Sequence, residues 1–241
     1  MISDMSVTHL PWPSARPLAN SFFHRESRQV AVELLGKVIR HQVDGLWLSA
    51  RIIETEAYKL EDKGSHASLG YTHTRRALFM DGGTIYMYYA RGGDSLNISA
   101  AGPGNAVLIK SAYPVTDDVS GPDSLALMHQ LNPAQNGDQR PLEKLCAGQT
   151  LLCKALGLKV PEWTAQQFDT SRFFFDDDGY RPGEIIQTTR LGIPAGRDEH
   201  LLYRFVDADY ARVCTRNPLG RTRREGEHYH YIGSAGACKL D

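Results

Sequence analysis

Apolar positions recur at helical spacing in some stretches of the chain and run as extended segments in others. Between Ser27 and Leu35, Val30 with Leu34 and Ala31 with Leu35 stand at i,i+4, and Gly36 follows where a helix would end. Pro122 to Leu131 and Gln149 to Leu156 also read as helices. The second carries Leu151, Leu152, Ala155 and Leu156 at helical spacing, with Gly157 behind them. Val38 to Val43 and Leu46 to Tyr58 are predicted strands joined by the hairpin signal Asp44-Gly45. The longer of the two is rich in β-branched and aromatic residues. A second hairpin is predicted from Thr84 to Arg91 and Asp94 to Ser99 around a Gly92-Gly93 turn. Asn105 to Ala112, Glu184 to Ile193 and His200 to Val206 complete the strands. Strands joined by short connections, with helices grouped rather than alternating, predict an α+β domain with a mainly antiparallel sheet. Residues 1–26 read as an N-terminal arm and 27–241 as the domain.

Composition narrows the class. Hydrophobic residues make up 41% and charged residues 23% of 241 residues, which excludes a disordered chain, a collagen-like fibre and a disulfide scaffold. No apolar run approaches the roughly 20 residues of a membrane helix. The first residues carry Pro11, Pro13 and Pro17 and no apolar core of a signal peptide, so a cytoplasmic protein is expected. Cys146, Cys153, Cys214 and Cys238 lack C-x2-C spacing and are expected to be inert thiols. A net charge of −1 does not by itself announce a nucleic-acid binder. Arg212, Arg216, Arg221, Arg223 and Arg224 nevertheless fall in one window with no acid among them. The plain reading is a solvated surface unless another feature points to phosphate.

Candidate chemistry concentrates between residues 53 and 99. Side chains alternate along a strand, so Glu54, Glu56 and Tyr58 share one face and Thr55 and Ala57 the other. With Thr55 and Ala57 on the core, the carboxylates line a surface where one of them could act as a general base. The competing reading makes both solvated charges. Five of eleven tyrosines, namely Tyr58, Tyr71, Tyr86, Tyr88 and Tyr89, lie in this region. A Gly92-Gly93 turn would oppose Arg91 to Asp94, Ala90 to Ser95, Tyr89 to Leu96 and Tyr88 to Asn97. Tyr88 and Asn97 would then set an aromatic plate beside an amide, with Tyr86 on the same face, an arrangement suited to a nucleobase. His228 and His230 could share a strand face but lack a third ligand, so no metal is expected. Gly102-Pro103-Gly104 lacks the continuation of a nucleotide-binding loop, and no protease or esterase motif is present.

Taken in order, Leu34-Leu35-Gly36-Lys37, Glu54-Thr55-Glu56-Ala57-Tyr58, His66-Ala67, Thr74-Arg75, Tyr86-Met87-Tyr88, Asn97-Ile98-Ser99 and Arg190-Leu191-Gly192-Ile193 resemble the alkyladenine (3-methyladenine) DNA glycosylase family. The resemblance runs from about Ser27 to Val206. It implies a single domain with a curved, mainly antiparallel sheet, flanking helices and a protruding β-hairpin. It also implies excision of alkylated or deaminated purines from double-stranded DNA by a monofunctional enzyme acting as a monomer, without cofactor or metal. By position, Glu56 matches the general base, Tyr58, His66 and Tyr88 the residues enclosing the flipped base, and Asn97 the amide that disfavours guanine. No lysine is placed for a Schiff base. Arg75, Arg76, Arg91 and Lys110 fall at positions expected to face DNA, and the protein would join the nucleoid when on DNA.

The departures are specific. Arg91 stands where the family carries a tyrosine wedge, and the hairpin is one residue shorter. Its plain alternative is a surface arginine paired with Asp94. Arg76 replaces an asparagine, Gly148-Gln149-Thr150-Leu151 lacks the family's lysine, and Lys110 replaces an arginine. Two rival functions follow: a lesion-binding protein without catalysis, and a hydrolase of free nucleosides.

Overall fold

The computed structural model describes residues 12–233. Helix α1 (Ser27–Leu34) begins where the Glu26 carboxylate accepts from the backbone N–H groups of Arg28 and Gln29, at 2.8 and 3.1 Å. It ends before Gly36, which takes φ +86°. The first hairpin, β1 (Val38–Val43) and β2 (Leu46–Tyr58), turns on Asp44 and Gly45, both at positive φ as a two-residue turn requires. There follow β3 (Ile85–Ala90), β4 (Gly93–Ser99) and β5 (Ala106–Pro114), then α2 (Pro122–Leu131), α3 (Leu142–Leu145), α4 (Gln149–Ala155) and α5 (Val160–Trp163). The chain closes with β6 (Phe173–Asp176), β7 (Glu184–Thr188), β8 (Arg204–Asp207) and β9 (Tyr229–Gly233). No helix among the described residues is long and apolar enough to cross a membrane.

All strand pairs are antiparallel. The path runs β3-β4-β5-β2-β8-β7-β9, with β1 joining β2 to β6. Strand β2 is the spine: Leu46 to Arg51 pair with β1, Glu54 to Glu56 pair with β8, and its other edge pairs with β5. Leu48, Ala50 and Ile52 point into the main core, with α1 and α4 residues such as Leu34 and Leu152. Strict alternation would carry Glu54 and Glu56 into that same core. Register shifts between Ile52 and Thr55 prevent it, adding Ile53 on β2 and Lys110 on β5. Ile53 enters a second cluster with Ile186 and Val206, Thr55 and Ala57 take over the core face, and Glu54, Glu56 and Tyr58 emerge opposite.

The second hairpin corrects the expected register. It turns on Arg91 and Gly92, at φ +49° and +79°, one residue earlier than expected. Tyr88 therefore opposes Ser95, and Tyr86 opposes Asn97. A one-residue displacement of the turn moves the pairing by two, so Tyr88 and Asn97 remain on one face as diagonal neighbours. Gly93 belongs to the strand, paired with Ala90, and a Cβ there would lie 2.9 Å from Cβ of Thr150.

The segment read as an arm lies against the domain from Trp12 onward. Trp12 packs on Trp47 and Phe174, and Phe23 is fully buried beside Phe168. Strand β7 stops at Thr188 rather than Ile193, because Arg190 turns inward and Gly192 bends the chain at φ +77°. Cys146, Cys153 and Cys214 are buried, and burial pushes their thiols up, that of Cys214 to about 12. Cys238 lies outside the described residues. His228 and His230 join no group of three metal-ligating side chains among the described residues.

Two predictions follow from this packing. Gly93→Ala is expected to cost about 1–3 kcal/mol by overpacking against Thr150. Gly92→Asn should cost less, since that site is open and asparagine tolerates positive φ. Urea midpoints of the two variants check the order. Buried His41 is held neutral, with its Nδ1 2.6 Å from the Leu156 carbonyl and its Nε2 accepting from the Trp163 indole at 3.2 Å. Burial drives its pKa below 6.5, so the unfolded chain binds the extra proton and stability falls as pH drops below that value. A lower urea midpoint at pH 5 than at pH 7 is expected.

Candidate active site

One row of side chains crosses five strands: Tyr86 on β3 opposes Asn97 on β4, which opposes Leu108 on β5, then Glu56 on β2, then Arg204 on β8. The first three line a cavity of about 360 Å³; Glu56 is not among its lining residues but touches three of them, Tyr58, Leu191 and Lys110. That volume is within the roughly 300–1,000 Å³ usual for small-ligand pockets. Tyr58, His66 and Tyr88, Lys110 from β5, Gln149 and Thr150 from α4, Leu191 to Ile193, and Thr215 are also part of the walls.

Glu56 is fully buried. The Tyr58 hydroxyl donates to its Oε2 at 2.7 Å, the Leu191 backbone N–H donates to its Oε1 at 2.9 Å, and Lys110 Nζ stands 3.5 Å from Oε1. All three of these residues also line the cavity. A carboxylate offers about four acceptor sites, so one remains for a further donor such as water. Glu54, two residues away, is equally buried and also has three donors, but two of them, Arg204 Nε at 2.6 Å and the Ser111 hydroxyl at 2.7 Å, stand outside the cavity lining; the third is the Thr215 N–H at 2.9 Å. The alternative of two solvated charges is excluded.

The aromatic wall is compact. His66 meets Tyr88 edge-on at 4.4 Å between centroids, and Tyr86 stacks on Tyr88 at 5.5 Å. The Asn97 amide Nδ2 donates to the Tyr86 carbonyl at 3.2 Å. Burial, then the neighbouring Tyr88, pushes the Tyr86 phenol up to about 12. Burial and the Glu56 charge drive Tyr58 well above its ordinary 10. Both hydroxyls are therefore neutral donors near neutral pH. Burial first, then the charges of Arg75 and Arg197, lowers His66 below its ordinary value. Its Nδ1 lies 3.2 Å from the Tyr86 hydroxyl.

Behind Tyr58, the side chain of Arg190 is wholly enclosed. It bonds Asp62 at 2.8 Å and the Ala57 carbonyl at 3.1 Å, and its guanidinium lies 4.7 Å from the Tyr58 ring centroid and 5.4 Å from that of Tyr203. Two of its nitrogens have no hydrogen-bond partner among the described residues.

The basic residues expected to face DNA divide. Arg91 lines the cavity, with Nη2 3.2 Å from the position a Cβ on Gly192 would take. Asp94 instead receives the Val160 N–H at 2.9 Å and sits 3.6 Å from Lys159, so the cross-turn pair does not form. Arg75 and Arg76 lie on the 3-10 turn His73–Phe79, where Arg76 binds His73 and Arg75 reaches back to the Leu69 and Gly70 carbonyls of the preceding turn. Lys110 is at the cavity floor, donating to Gln149 Oε1 at 3.2 Å. It brings an amine into the site where none was expected. Residue spacing gave no sign of Gln149, Leu191 or Thr215, because each reaches the cavity through a loop or a helix start.

Known proteins resemble this chain over most of its length. A family model described as methylpurine-DNA glycosylase matches residues 21–211. A Pseudomonas aeruginosa protein named "Putative 3-methyladenine DNA glycosylase" is 65% identical over 227 residues, covering 94% of this chain and 95% of its own. A protein of the same name from Pseudomonas savastanoi is 66% identical over 220 residues, covering 91% and 98%. Another from Koribacter versatilis is 31% identical over 193 residues, covering 78% and 88%.

The two glutamates should separate in experiment. Glu54→Gln breaks a buried ion pair and is expected to destabilise by about 3 kcal/mol. Glu56→Gln keeps an amide oxygen for the Leu191 N–H and turns its NH2 toward the Tyr58 hydroxyl, which can rotate to accept, so it should cost less. Thermal melting of both variants beside the wild type tests this.

Proposed function

The chain belongs to the methylpurine-DNA glycosylase family, and from that premise we propose that it excises damaged purines by hydrolysis, with Glu56 activating the water. The observation that carries this reading is the buried Glu56 carboxylate, oriented by Tyr58, Leu191 and Lys110, all three of which line the aromatic-walled cavity.

A purine rotated out of duplex DNA enters the cavity and stacks among Tyr58, His66 and Tyr88. Alkylation places positive charge on the base and weakens its bond to the sugar, so electron-rich rings favour the damaged base through cation–π attraction. The amide of Asn97 reads the base edge and crowds the 2-amino group of normal guanine. As the glycosidic bond lengthens, the sugar takes on oxocarbenium character, which the Glu56 carboxylate stabilises. Glu56 accepts a proton from water as the water oxygen bonds to C1′, and the base departs with the bonding electron pair. Substrates of this chemistry are 3-methyladenine, 7-methylguanine, hypoxanthine and ethenoadenine in double-stranded DNA.

Lys110 is the amine that could instead attack C1′ and cut the strand. Its ammonium is engaged by Glu56 and Gln149, which supports simple hydrolysis. Arg91 is proposed to fill the space left by the extruded nucleotide, reaching it from the hairpin turn at the cavity edge. Arg75 and Arg76 are proposed to meet the phosphates beside it.

The test is release of hypoxanthine or ethenoadenine from a duplex, scored by alkali cleavage of the abasic site, for wild type and Glu56→Gln. Release by wild type is expected, with a fall of at least about a hundredfold in the variant, the scale of lost acid–base catalysis, while lesion binding persists. Strand breaks before alkali, or borohydride trapping of a covalent adduct, would overturn simple hydrolysis. Lesion binding without release would make the chain a damage binder, and activity on free nucleosides alone a nucleoside hydrolase.

A further inference from the structure

Most guanidinium groups of this chain are taken. Arg40 binds Asp176, Arg51 binds Asp178, Arg181 binds Asp177, Arg190 binds Asp62 and Arg204 binds Glu54. In the window from 212 to 224 the pattern changes. The side chains of Arg212, Arg216, Arg221, Arg223 and Arg224 make no hydrogen bond or ion pair among the described residues. Four are exposed and Arg223 is half-buried. Glu225 and Glu227 follow closely, yet the side-chain contact formed there is between Glu227 and His228, at 3.9 Å. The acidic run Asp176 to Asp178 is already paired, with Arg40, Lys37, Arg181 and Arg51. The window also begins one residue after the family match ends.

The segment is fastened to the site. The Thr215 N–H donates to Glu54, and its hydroxyl lies 2.8 Å from that of Ser111. The Arg216 carbonyl accepts from Arg204 Nη2 at 2.6 Å. Pro218 is buried, and Leu219 packs against the cluster of Ile53, Ile186 and Val206. At the far end the His228 carbonyl accepts from Thr188 Oγ1 at 2.8 Å, and β9 pairs with β7. Thr215 lines the cavity, so Arg216 follows directly from its wall.

We propose that residues 212–224 form a phosphate-binding rim that receives the DNA backbone beside the nucleotide held in the cavity. The choice of DNA rests on the glycosylase reading. Five unpaired guanidiniums spread over thirteen residues suit a repeating polyanion better than a single anion, and arginine engages phosphate through two parallel donors. Glu54 is a positioning residue in this arrangement: it spends its carboxylate tying the rim to the strand that carries Glu56.

The experiment is fluorescence anisotropy of an undamaged duplex with wild type and with the triple variant Arg221→Ala, Arg223→Ala, Arg224→Ala, across a range of salt. Each lost phosphate contact should flatten the slope of log affinity against log salt by about 1, so a change of about 3 is expected. The matching triple lysine variant should recover most of the slope, and melting temperatures of all three proteins establish that the fold is kept. An unchanged slope, or no duplex binding by wild type, overturns the proposal. Base release by wild type from a lesion duplex is scored separately. A slope change without release would retain the rim and reject the glycosylase chemistry.

Discussion

The arrangement of this protein depends on a paired irregularity in two neighbouring strands. Without the extra residues Ile53 on β2 and Lys110 on β5, the face that buries Leu48, Ala50 and Ile52 would also receive Glu54 and Glu56. Carboxylates in that apolar layer would face a desolvation cost of several kcal/mol each. The shift inverts the faces of both strands together, so Thr55, Ala57, Val107 and Ile109 continue the core. Glu54, Glu56, Lys110 and Ser111 then gather on the opposite side. One backbone feature thus keeps the core intact and assembles the polar floor of the cavity.

Two buried ion pairs stabilise that floor in different ways. Glu54–Arg204 lies at the β8 end of the row and ties down the segment beginning at Cys214. Asp62–Arg190 lies behind Tyr58 and draws residues 190–193 out of the sheet, which brings the Leu191 N–H onto Glu56. Neither pair has to add net stability to matter, since a buried pair often breaks even against apolar packing. Their contribution is positional. They leave Glu56 as the one glutamate of the two whose donors all belong to the cavity wall.

Much of this could be read in the chain. The first hairpin, α1 and α2 follow from turn chemistry and apolar spacing, and the shared face of Glu54, Glu56 and Tyr58 follows from alternation after Ile53. What escaped has physical causes. Strand β6, Phe173-Phe174-Phe175-Asp176, is buried on both faces, so it shows no alternation. Strand β9 is a mostly exposed edge strand of Tyr, His and Gly, so it shows little apolar pattern. The Gly92-Gly93 turn was misplaced because residue type alone does not show that Gly93 is needed for contact with Thr150 while Arg91 adopts positive φ. The cavity residues from loops depend on long-range pairs such as Arg190 with Asp62, which no local spacing encodes.

The near-neutral charge of the whole chain is a poor guide to what it can bind, because charge acts locally. Lys110 and Arg91 are directed at the cavity, Arg190 and Arg204 are spent on internal carboxylates, and the arginines after residue 211 have no internal partner. A cation already paired with a buried carboxylate contributes little field outside the protein, whereas an exposed unpaired one contributes nearly its full charge within a Debye length of about 8 Å at physiological salt. Each internal pair is neutral, so removing the pairs leaves the sum at −1; what changes is where the unpaired charge lies, with five such arginines between residues 212 and 224. The pairing pattern, rather than the composition, is therefore what reconciles a neutral chain with an anionic polymer as substrate.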